Sequence, residues 1–556
     1  MQAAEIIVKI LEKEGITDAF GIPGAGINSL YKYLGQTGAI KHFLVRHEEA
    51  AVHAADAYFR SSGRMAMAAC TSGPGATNFV TGLYTANIDS IPLIAITGQA
   101  VRAQLGKDAF QCVDIAEICK TITKWSVCVT DPEKVPEIMA KAFFEARSGK
   151  PGPVLIDLPL DVQMAEIDYD INAYKPIEIP QVKPDSAKIK AAADLLLGAA
   201  NPVIIMGGGV ILSRAENQLI ALAEYLQIPV ITTYMAKGGI PVNHPLNAGH
   251  AGIQVGQPIG NRILSESDVV LGVGCRFTDR HTGDVKVYSE GRKFIHIDIE
   301  PSQIGKIFAP EIGIVSDARL AIEALMTEVK GKTAKREAAG RVAGLPALRE
   351  ELRRKTDYDT DPIKPQRVYA ELNRAFDDNT MFTTGCGLNQ IWSGQLQDIN
   401  KPRRYLPSGG AGTLGFDIPA AVGAMAANPG TKCVAVMGDF GFTFMPEEIA
   451  CAATYKMPLV VVVVNNAYLS LIRQNQKYAY SYEYEVHVPE DHTMIDYVKI
   501  CEGLGGKGER VFKTGDIAAA LERAKAAKGP YIVDIIVEED TDCSMGGSIT
   551  GVREFE

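Results

Sequence analysis

The sequence predicts an α/β protein of three domains, each built on a parallel β-sheet. Short apolar runs rich in β-branched residues alternate with longer segments of helical period, a pattern typical of parallel sheets covered by helices. The chain has 556 residues. Since a domain has about 150 residues, a chain of this length contains more than one domain. Two stretches of different composition interrupt the alternation and divide the chain into three pieces.

The two interruptions set the expected domain boundaries. Residues 166–186 carry Pro176, Pro180 and Pro184 among polar residues and predict a linker. Residues 330–365 are dense in charge and predict an exposed helix that leads into a second linker. We therefore expect a first domain at 1–165, a central domain at 186–335, a third domain at 362–540 and a C-terminal tail at 541–556.

Charge and composition exclude several classes of protein. There are 56 Lys and Arg against 66 Asp and Glu, a net charge of −10 without a basic block, so we expect no nucleic-acid partner. The longest apolar run, residues 457–464, is too short to span a bilayer, and the N-terminus does not resemble a signal peptide. Ten cysteines include no C-x-x-C pair, which indicates free thiols in a reducing compartment. The expectation is a cytoplasmic protein that binds no membrane.

The first and third pieces resemble each other. Ser72 and Gly438 follow similar apolar runs, and Pro92 and Pro458 open the next runs, both pairs at an offset of 366 positions. A further pair of similar runs lies near the ends of the two pieces. This repetition predicts two domains of one fold on either side of a different central domain.

Polar residues follow two neighbouring predicted strands of the third domain. Gly438 and Asp439 close one strand, and Asn465 and Asn466 close the next, so both pairs lie at the carboxyl edge of the sheet. A carboxylate, an amide oxygen and a nearby backbone carbonyl are ligands that suit Mg²⁺ and leave room for diphosphate oxygens. The alternative is that Asp439 only caps a helix and the asparagines only form a turn.

The spacing of this motif carries a resemblance. Gly438-Asp439 followed after 27 residues by Asn466 resembles the diphosphate-binding signature of thiamine-diphosphate enzymes, and the three pieces resemble their pyrimidine, central and diphosphate domains. Segments along the whole chain resemble the acetohydroxyacid synthase and glyoxylate carboligase branch of that family: 46–51, 71–75, 151–154, 280–283, 295–299 and 465–469. Segments 288–293, 364–369 and 544–546 are closest to glyoxylate carboligases. Phe440 replaces the glycine usual after Gly-Asp, as an aromatic residue does in those carboligases.

The resemblance implies roles for single residues. It makes Asp439, Asn466 and the backbone carbonyl of Tyr468 the Mg²⁺ ligands, and Leu414 the apolar residue that holds thiamine diphosphate bent. Glu48 matches the glutamate that hydrogen-bonds the pyrimidine ring of the cofactor. This hydrogen bond favours the imino tautomer of the ring, which is a base within reach of C2–H. Further residues implied at the cofactor or catalytic site are Gly412, Gly438, Phe440, Phe110 and Gln111.

Two positions indicate different subfamilies. Glu48 is the residue of acetohydroxyacid synthases, whereas glyoxylate carboligases carry valine. Asn475 stands where acetohydroxyacid synthases place a tryptophan that selects a larger acceptor, so a small acceptor such as glyoxylate is favoured. Arg276 matches an arginine that can bind the acceptor carboxylate, and it could equally contact a flavin or lie at the surface.

The central piece resembles a flavin-binding domain. Gly207, Gly208 and Gly209 follow a strand at 202–206, and Asp298 and Asp317 are each expected to end a strand, at positions suited to cofactor contacts. A tight connection between strand and helix explains the glycines equally well. The family places FAD contacts at Gly249, His250, Arg276, Asp298, Ile299, Asp317 and Ala318. The resemblance implies that FAD has a structural role.

Together these features imply a decarboxylating carboligase. It would join two glyoxylate molecules into tartronate semialdehyde and CO₂ through the C2 ylid and enamine of thiamine diphosphate. One alternative is an acetohydroxyacid synthase catalytic subunit acting on pyruvate, and another is a non-catalytic protein that keeps thiamine diphosphate or FAD as a ligand. The resemblance also implies small 2-oxo acid substrates and a homodimer or homotetramer with active sites between chains.

Overall fold

The structure is a computed structural model that describes residues 1–488 and 494–555. Residues 489–493 of the predicted third domain and residue 556 of the predicted tail lie outside the described residues. Three six-stranded sheets, each with all its pairs parallel, follow one another along the chain. The predicted α/β class with three domains is confirmed. Each sheet falls within one predicted domain range, and the ends of those ranges stay a prediction.

The first sheet has the order β2-β1-β3-β4-β6-β5. Its strands are β1 (Asp18–Gly21), β2 (Lys41–Leu44), β3 (Met67–Cys70), β4 (Ile94–Gln99), β5 (Trp125–Cys128) and β6 (Val154–Pro159). Strands β3, β4 and β6 are buried along their whole length, as expected for a sheet covered on both faces. The main helices are Ala3–Lys13, Asn28–Leu34, Glu48–Ser62, Phe79–Ile88 and Val135–Arg147.

The central sheet has a different topology, in the order β12-β11-β10-β7-β8-β9. Its strands are β7 (Pro202–Met206), β8 (Val230–Thr232), β9 (Asn247–His250), β10 (Val269–Val273), β11 (Lys293–Asp298) and β12 (Ile312–Val315). The order reverses between β7 and β10, which is the arrangement of dinucleotide-binding sheets and places a crevice beside the end of β7. The main helices are Ser186–Gly198, Glu216–Leu226, Pro258–Ser265 and Ala318–Lys330.

The third sheet has the order β14-β13-β15-β16-β18-β17. Its strands are β13 (Met381–Thr384), β14 (Tyr405–Pro407), β15 (Cys433–Gly438), β16 (Leu459–Asn465), β17 (Lys507–Val511) and β18 (Tyr531–Ile536). Counted from each domain's first strand, this order is the same as that of the first sheet, which confirms the predicted likeness. The main helices are Pro365–Ala375, Leu388–Leu396, Asp417–Ala427, Glu448–Thr454, Ser470–Asn475, Tyr497–Gly503 and Ile517–Ala526, and Asp439–Phe442 forms one short helical turn.

The segments between and after the domains hold little regular structure. The predicted helix of the charged stretch 330–365 is limited to Leu345–Glu351. The tail forms a short antiparallel pair, β19 (Met545–Gly546) and β20 (Val552–Arg553). In the part of the chain that the structure describes, no helix combines the length and apolarity that crossing a membrane requires.

Helices of the first and third domains share one hydrophobic core. Helix Glu48–Ser62 lies against helix Asp417–Ala427, and both are rich in buried alanines. A Cβ atom on Gly423 would lie 1.9 Å from the carbonyl oxygen of Ala54, so only glycine allows this approach of the two backbones. The contact holds the middle of helix Glu48–Ser62 against the third domain.

Candidate active site

The carboxyl ends of β15 and β16 bring the predicted metal ligands to one edge of the third sheet. Gly438 pairs with Val464 across these strands, so Asp439 and Asn466 lie one and two residues beyond a paired position. Asp439 is buried, and its Oδ1 accepts the backbone N–H of Phe440 at 2.8 Å. Its Oδ2 is buried without a hydrogen-bond partner among the described residues.

The buried carboxyl of Asp439 is suited to a cation. Burial raises its pKa to about 7, and the charge of Asp534 acts in the same direction. A buried carboxylate oxygen without a partner is destabilising, and a divalent cation would satisfy it. The environment of Asp439 therefore fits Mg²⁺.

Asn466 and Tyr468 supply neutral oxygens at the same edge. The hydroxyl of Ser470 lies 2.7 Å from Asn466 Oδ1 and 3.0 Å from the carbonyl oxygen of Tyr468. Since one hydroxyl has one hydrogen, the two oxygens keep acceptor capacity for a further partner. Between them Ala467 has φ of +61°, an unusual value for a residue with a side chain, which turns the chain sharply after β16.

The described residues hold no group of three or more His, Cys, Asp or Glu side chains placed to bind a metal. The predicted set has one carboxylate and two neutral oxygens, so it is a different kind of site. This mixture of hard oxygen ligands is the one that Mg²⁺ accepts.

Leu414 lies in the turn that follows β14. Gly412 and Gly415 on either side of it have φ of +62° and +82°, so the turn depends on glycine at both positions. The half-buried side chain of Leu414 points towards Gly441, because a Cβ atom there would lie 3.9 Å from its Cδ2. Leu414 thus lies near the helical turn that contains Asp439.

Glu48 is the first residue of its helix and belongs to the first domain. Its Oε2 accepts a hydrogen bond from Asn78 Nδ2 at 2.9 Å, and its Oε1 lies beside Gly75. No hydrogen bond or ion pair among the described residues joins Glu48 to Asp439 or Leu414. A single chain therefore holds two halves of the predicted site, one in each outer domain.

A buried glutamate of the third domain holds the start of the Glu48 helix. Glu448 Oε1 accepts the backbone N–H groups of Arg46 at 2.6 Å and His47 at 3.0 Å. Burial raises the pKa of Glu448 to about 7, and its Oε2 has no partner among the described residues. No local sequence pattern predicts this contact, because the partners lie 402 and 401 positions apart.

Three further predicted residues have varied surroundings. Phe110 is 88% exposed. Gln111 has φ of +54°, and its Cβ packs beside Gly73. Gly73 belongs to the same turn as Gly75, which lies beside the carboxylate of Glu48. Asn475 is the exposed last residue of helix Ser470–Asn475. Of these three residues, Phe110 and Asn475 are exposed, and Gln111 alone lies near another predicted residue within the part of the chain that the structure describes.

A cavity of about 370 Å³ lies where the three domains meet, beside the order reversal of the central sheet. Seven predicted flavin contacts line it: Gly208, Gly209, Arg276, Asp298, Ile299, Asp317 and Ala318. Cationic side chains also line it, namely Arg60, Arg147, Lys150, Lys237, Arg276, Arg280 and Arg403. A dinucleotide with a diphosphate group fits this combination of topology and charge.

Other predicted flavin contacts have different surroundings. A Cβ atom on Gly207 would lie 2.1 Å from the carbonyl oxygen of Gly274, so close packing of two turns explains this glycine. Gly249 and His250 line a second, smaller cavity. The prediction that Asp317 ends a strand was wrong: β12 ends at Val315, and Asp317 Oδ1 caps the next helix by accepting Leu320 N–H at 3.2 Å.

One buried carboxylate, missed by sequence reasoning, joins all three domains at the cavity. Asp89 Oδ1 accepts Gly410 N–H at 2.9 Å and Arg276 Nη2 at 3.3 Å. Asp89 Oδ2 accepts Gly409 N–H at 3.0 Å and Arg60 Nη2 at 3.1 Å. Asp89 therefore holds both Arg276 and the chain that leads to Leu414.

The chain is similar to known proteins along its whole length. Three domain descriptions match it: the N-terminal TPP binding domain of thiamine pyrophosphate enzymes at residues 1–118, their central domain at 189–325 and their C-terminal TPP binding domain at 385–535.

Individual relatives cover nearly the full length of both chains. The chain is 45% identical to a glyoxylate carboligase of Escherichia coli O157:H7, over 100% of this chain and 96% of the relative. It is 40% identical to a probable acetolactate synthase large subunit of Methanocaldococcus jannaschii, over 99% and 95% of the two chains. An acetolactate synthase large subunit of Corynebacterium glutamicum is 39% identical, over 97% and 87%.

Proposed function

The chain belongs to the thiamine pyrophosphate enzyme family, and from this premise we propose that it joins two glyoxylate molecules into tartronate semialdehyde and CO₂. The observation that carries the proposal is the 45% identity to a glyoxylate carboligase over the whole chain, above the 40% and 39% to acetolactate synthases. The small polar Asn475 supports a small acceptor.

Thiamine diphosphate, when bound, supplies the carbon nucleophile and the electron sink that decarboxylation of a 2-oxo acid requires. Asp439, Asn466 and the carbonyl of Tyr468 would hold Mg²⁺ against its diphosphate. The unpartnered Oδ2 of Asp439 supports this assignment. Leu414 would support the bent cofactor from the neighbouring turn.

Glu48 would exchange a proton with the pyrimidine ring. The hydrogen bond from Asn78 fixes one carboxylate oxygen, and Oε1 remains beside Gly75, where the absence of a side chain leaves space. Glu448 would act indirectly, because it holds the backbone that precedes Glu48.

We assign the larger cavity to FAD with a structural role. Its residues come from all three domains, so a bound dinucleotide would stabilise their arrangement. Arg276 would contact the flavin or the acceptor carboxylate through guanidinium donors that Asp89 and the carbonyl of Ile88 leave free.

Glu48 and Asp439 lie in different domains, and no hydrogen bond or ion pair among the described residues joins them. This supports a homodimer or homotetramer, with each site completed by a second chain. We further propose a cytoplasmic enzyme of small 2-oxo acids, without nucleic-acid or membrane partners.

A second candidate function is acetolactate synthesis from pyruvate. Glu48 favours it, because acetohydroxyacid synthases share this glutamate, and so do the several acetolactate synthases at 35 to 40% identity.

Product analysis distinguishes these functions. The purified protein, supplied with thiamine diphosphate, Mg²⁺ and FAD, is incubated with glyoxylate or with pyruvate, and the products are identified by NMR. We expect tartronate semialdehyde from glyoxylate. Acetolactate from pyruvate as the main product would favour the second function, and cofactor binding without CO₂ release from either acid would indicate a non-catalytic protein.

A further inference from the structure

A second cavity, of about 80 Å³, lies between the central domain, helix Leu345–Glu351 and the end of helix Leu388–Leu396. Thiamine diphosphate and FAD are assigned above to other parts of the molecule, although two predicted flavin contacts, Gly249 and His250, line this cavity. Lys237 and His250 line it from the central domain, and Gln397 and Asp398 line it from the third domain. Lys237 also lines the larger cavity, so the two cavities adjoin at this side chain.

Lys237 is a buried cation that forms no ion pair among the described residues. Its side chain donates to the carbonyl oxygen of Gly394 at 2.8 Å and lies 3.1 Å from His250 Nε2. Burial lowers its pKa to about 7, and the charge of Asp398 opposes this only in part. Buried ammonium groups are destabilising without a counter-ion, so this position favours an anion.

Gln397 presents a second buried donor. The residue is 1% exposed, and its Oε1 accepts the hydroxyl of Ser393 at 2.6 Å. Its Nε2 has no hydrogen-bond partner among the described residues. Buried amide donors are nearly always paired, so an acceptor is expected in the cavity.

The remaining charged groups leave the cavity positive. The cations that line it are Lys237, Arg349, Arg353 and Arg354, and the carboxylates are Glu350 and Asp398. Arg354 is paired outside this set with Glu554 at 2.7 Å. With Glu554 included, the four cations are opposed by three carboxylates, which leaves one positive charge in excess. The side chain of Arg353 is 56% exposed and marks an entrance from solvent.

We propose that this cavity binds a small oxyanion, either a phosphate ion or a small carboxylate, between Lys237 Nζ and Gln397 Nε2. One water needs about 10–15 Å³ of such space, so the cavity has room for an anion of several heavy atoms. The bound anion compensates the charge of Lys237 and satisfies Gln397. This proposal does not depend on the reaction that the enzyme catalyses.

The test is calorimetric titration of the holoenzyme in Tris buffer with inorganic phosphate and, separately, with oxalate. At least one anion is expected to bind with a dissociation constant below about 1 mM. Gln397→Leu removes the donor, and Gln397→Glu places a carboxylate near Lys237. Both variants are expected to weaken binding at least about tenfold.

The matched control is Gln366→Glu. Gln366 is also buried with one unpartnered amide atom, but it lies in helix Pro365–Ala375 and does not line the cavity. This variant should bind the anion as the original protein does. If Gln397→Glu does not fold, Gln397→Leu carries the comparison.

The two anions distinguish the source of the ligand. Binding of phosphate alone identifies a phosphate site, and binding of oxalate alone identifies a carboxylate site. Failure of both anions to bind, or equal affinity of the Gln397 variants and the original protein, overturns the proposal.

Discussion

At the scale of single residues, the candidate site depends on buried carboxylates whose surroundings differ. Asp439 has an oxygen without a partner among the described residues, whereas both oxygens of Asp89 accept two hydrogen bonds each. The first arrangement favours a cation, and the second fixes neighbouring groups in place. Substitution by asparagine should therefore affect the two positions differently.

Asp439→Asn should weaken Mg²⁺-dependent binding of thiamine diphosphate at least about 100-fold, because the anionic metal ligand is lost. Without metal, the Tm of the original protein and the Tm of Asp439→Asn should depend differently on pH. Since the folded pKa of Asp439, about 7, exceeds its ordinary value of 3.8, its ionisation removes stability as the pH rises between these values. The Tm of Asp439→Asn should therefore fall less than that of the original protein between about pH 4 and pH 7. Unchanged cofactor binding would contradict the ligand assignment.

Asp89→Asn should lower kcat/KM about 10- to 100-fold, because the amide N–H₂ would face donors where a carboxylate oxygen accepted them. Flavin content should fall as well, since Arg276 loses its ion pair with Asp89 and keeps the hydrogen bond to the carbonyl of Ile88. The control is Glu371→Gln. It removes the charge of another buried carboxylate, one that forms ion pairs with Arg367 and Arg374 inside the third domain. Equal kinetic effects of the two substitutions would mean that Asp89 acts only through general stability.

At the scale of elements, the sequence predicted the strands that carry the site but not the contacts between domains. The strands before Asp439, Asn466 and Gly207 follow from local patterns of apolar residues, turn residues and spacing. The bonds of Glu448 to Arg46 and of Asp89 to Gly410 join positions 402 and 321 residues apart, so no local pattern encodes them. The helix of the charged stretch was predicted without bounds, and propensity alone could not show that it has only seven residues.

The packing of helix Glu48–Ser62 on helix Asp417–Ala427 gives a prediction at this scale. Gly423→Ala should destabilise the protein by about 1–3 kcal/mol, because the new methyl group overlaps the carbonyl oxygen of Ala54. The matched change is Gly198→Ala, at the end of helix Ser186–Gly198, where a Cβ atom meets nothing within 4 Å. Thermal unfolding should show a lower Tm for Gly423→Ala alone, and equal values would contradict the close packing.

At the scale of the whole molecule, the two halves of the site lie in domains of one fold with a dinucleotide-type sheet between them. The repeated order of the outer sheets could be predicted from matched segments at equal offsets. The way in which the two halves combine could not be predicted, because in the described part of one chain no hydrogen bond or ion pair joins Glu48 to Asp439.

Complementation tests whether two chains form one site. Glu48→Gln and Asp439→Asn should each be nearly inactive alone. Co-expressed at equal levels, they should regain about a quarter of full activity, since half of random dimers are mixed and each mixed dimer keeps one intact site. No recovery in isolated mixed dimers would mean that each site lies within one chain.

The proposed reaction requires that this family member prefers glyoxylate as donor and acceptor. The most direct measurement compares kcat/KM for CO₂ release from glyoxylate and from pyruvate, in one preparation saturated with thiamine diphosphate, Mg²⁺ and FAD. We expect a preference for glyoxylate of at least about tenfold, equivalent to about 1.4 kcal/mol, with one CO₂ released for each two glyoxylates consumed. A higher kcat/KM for pyruvate would contradict it.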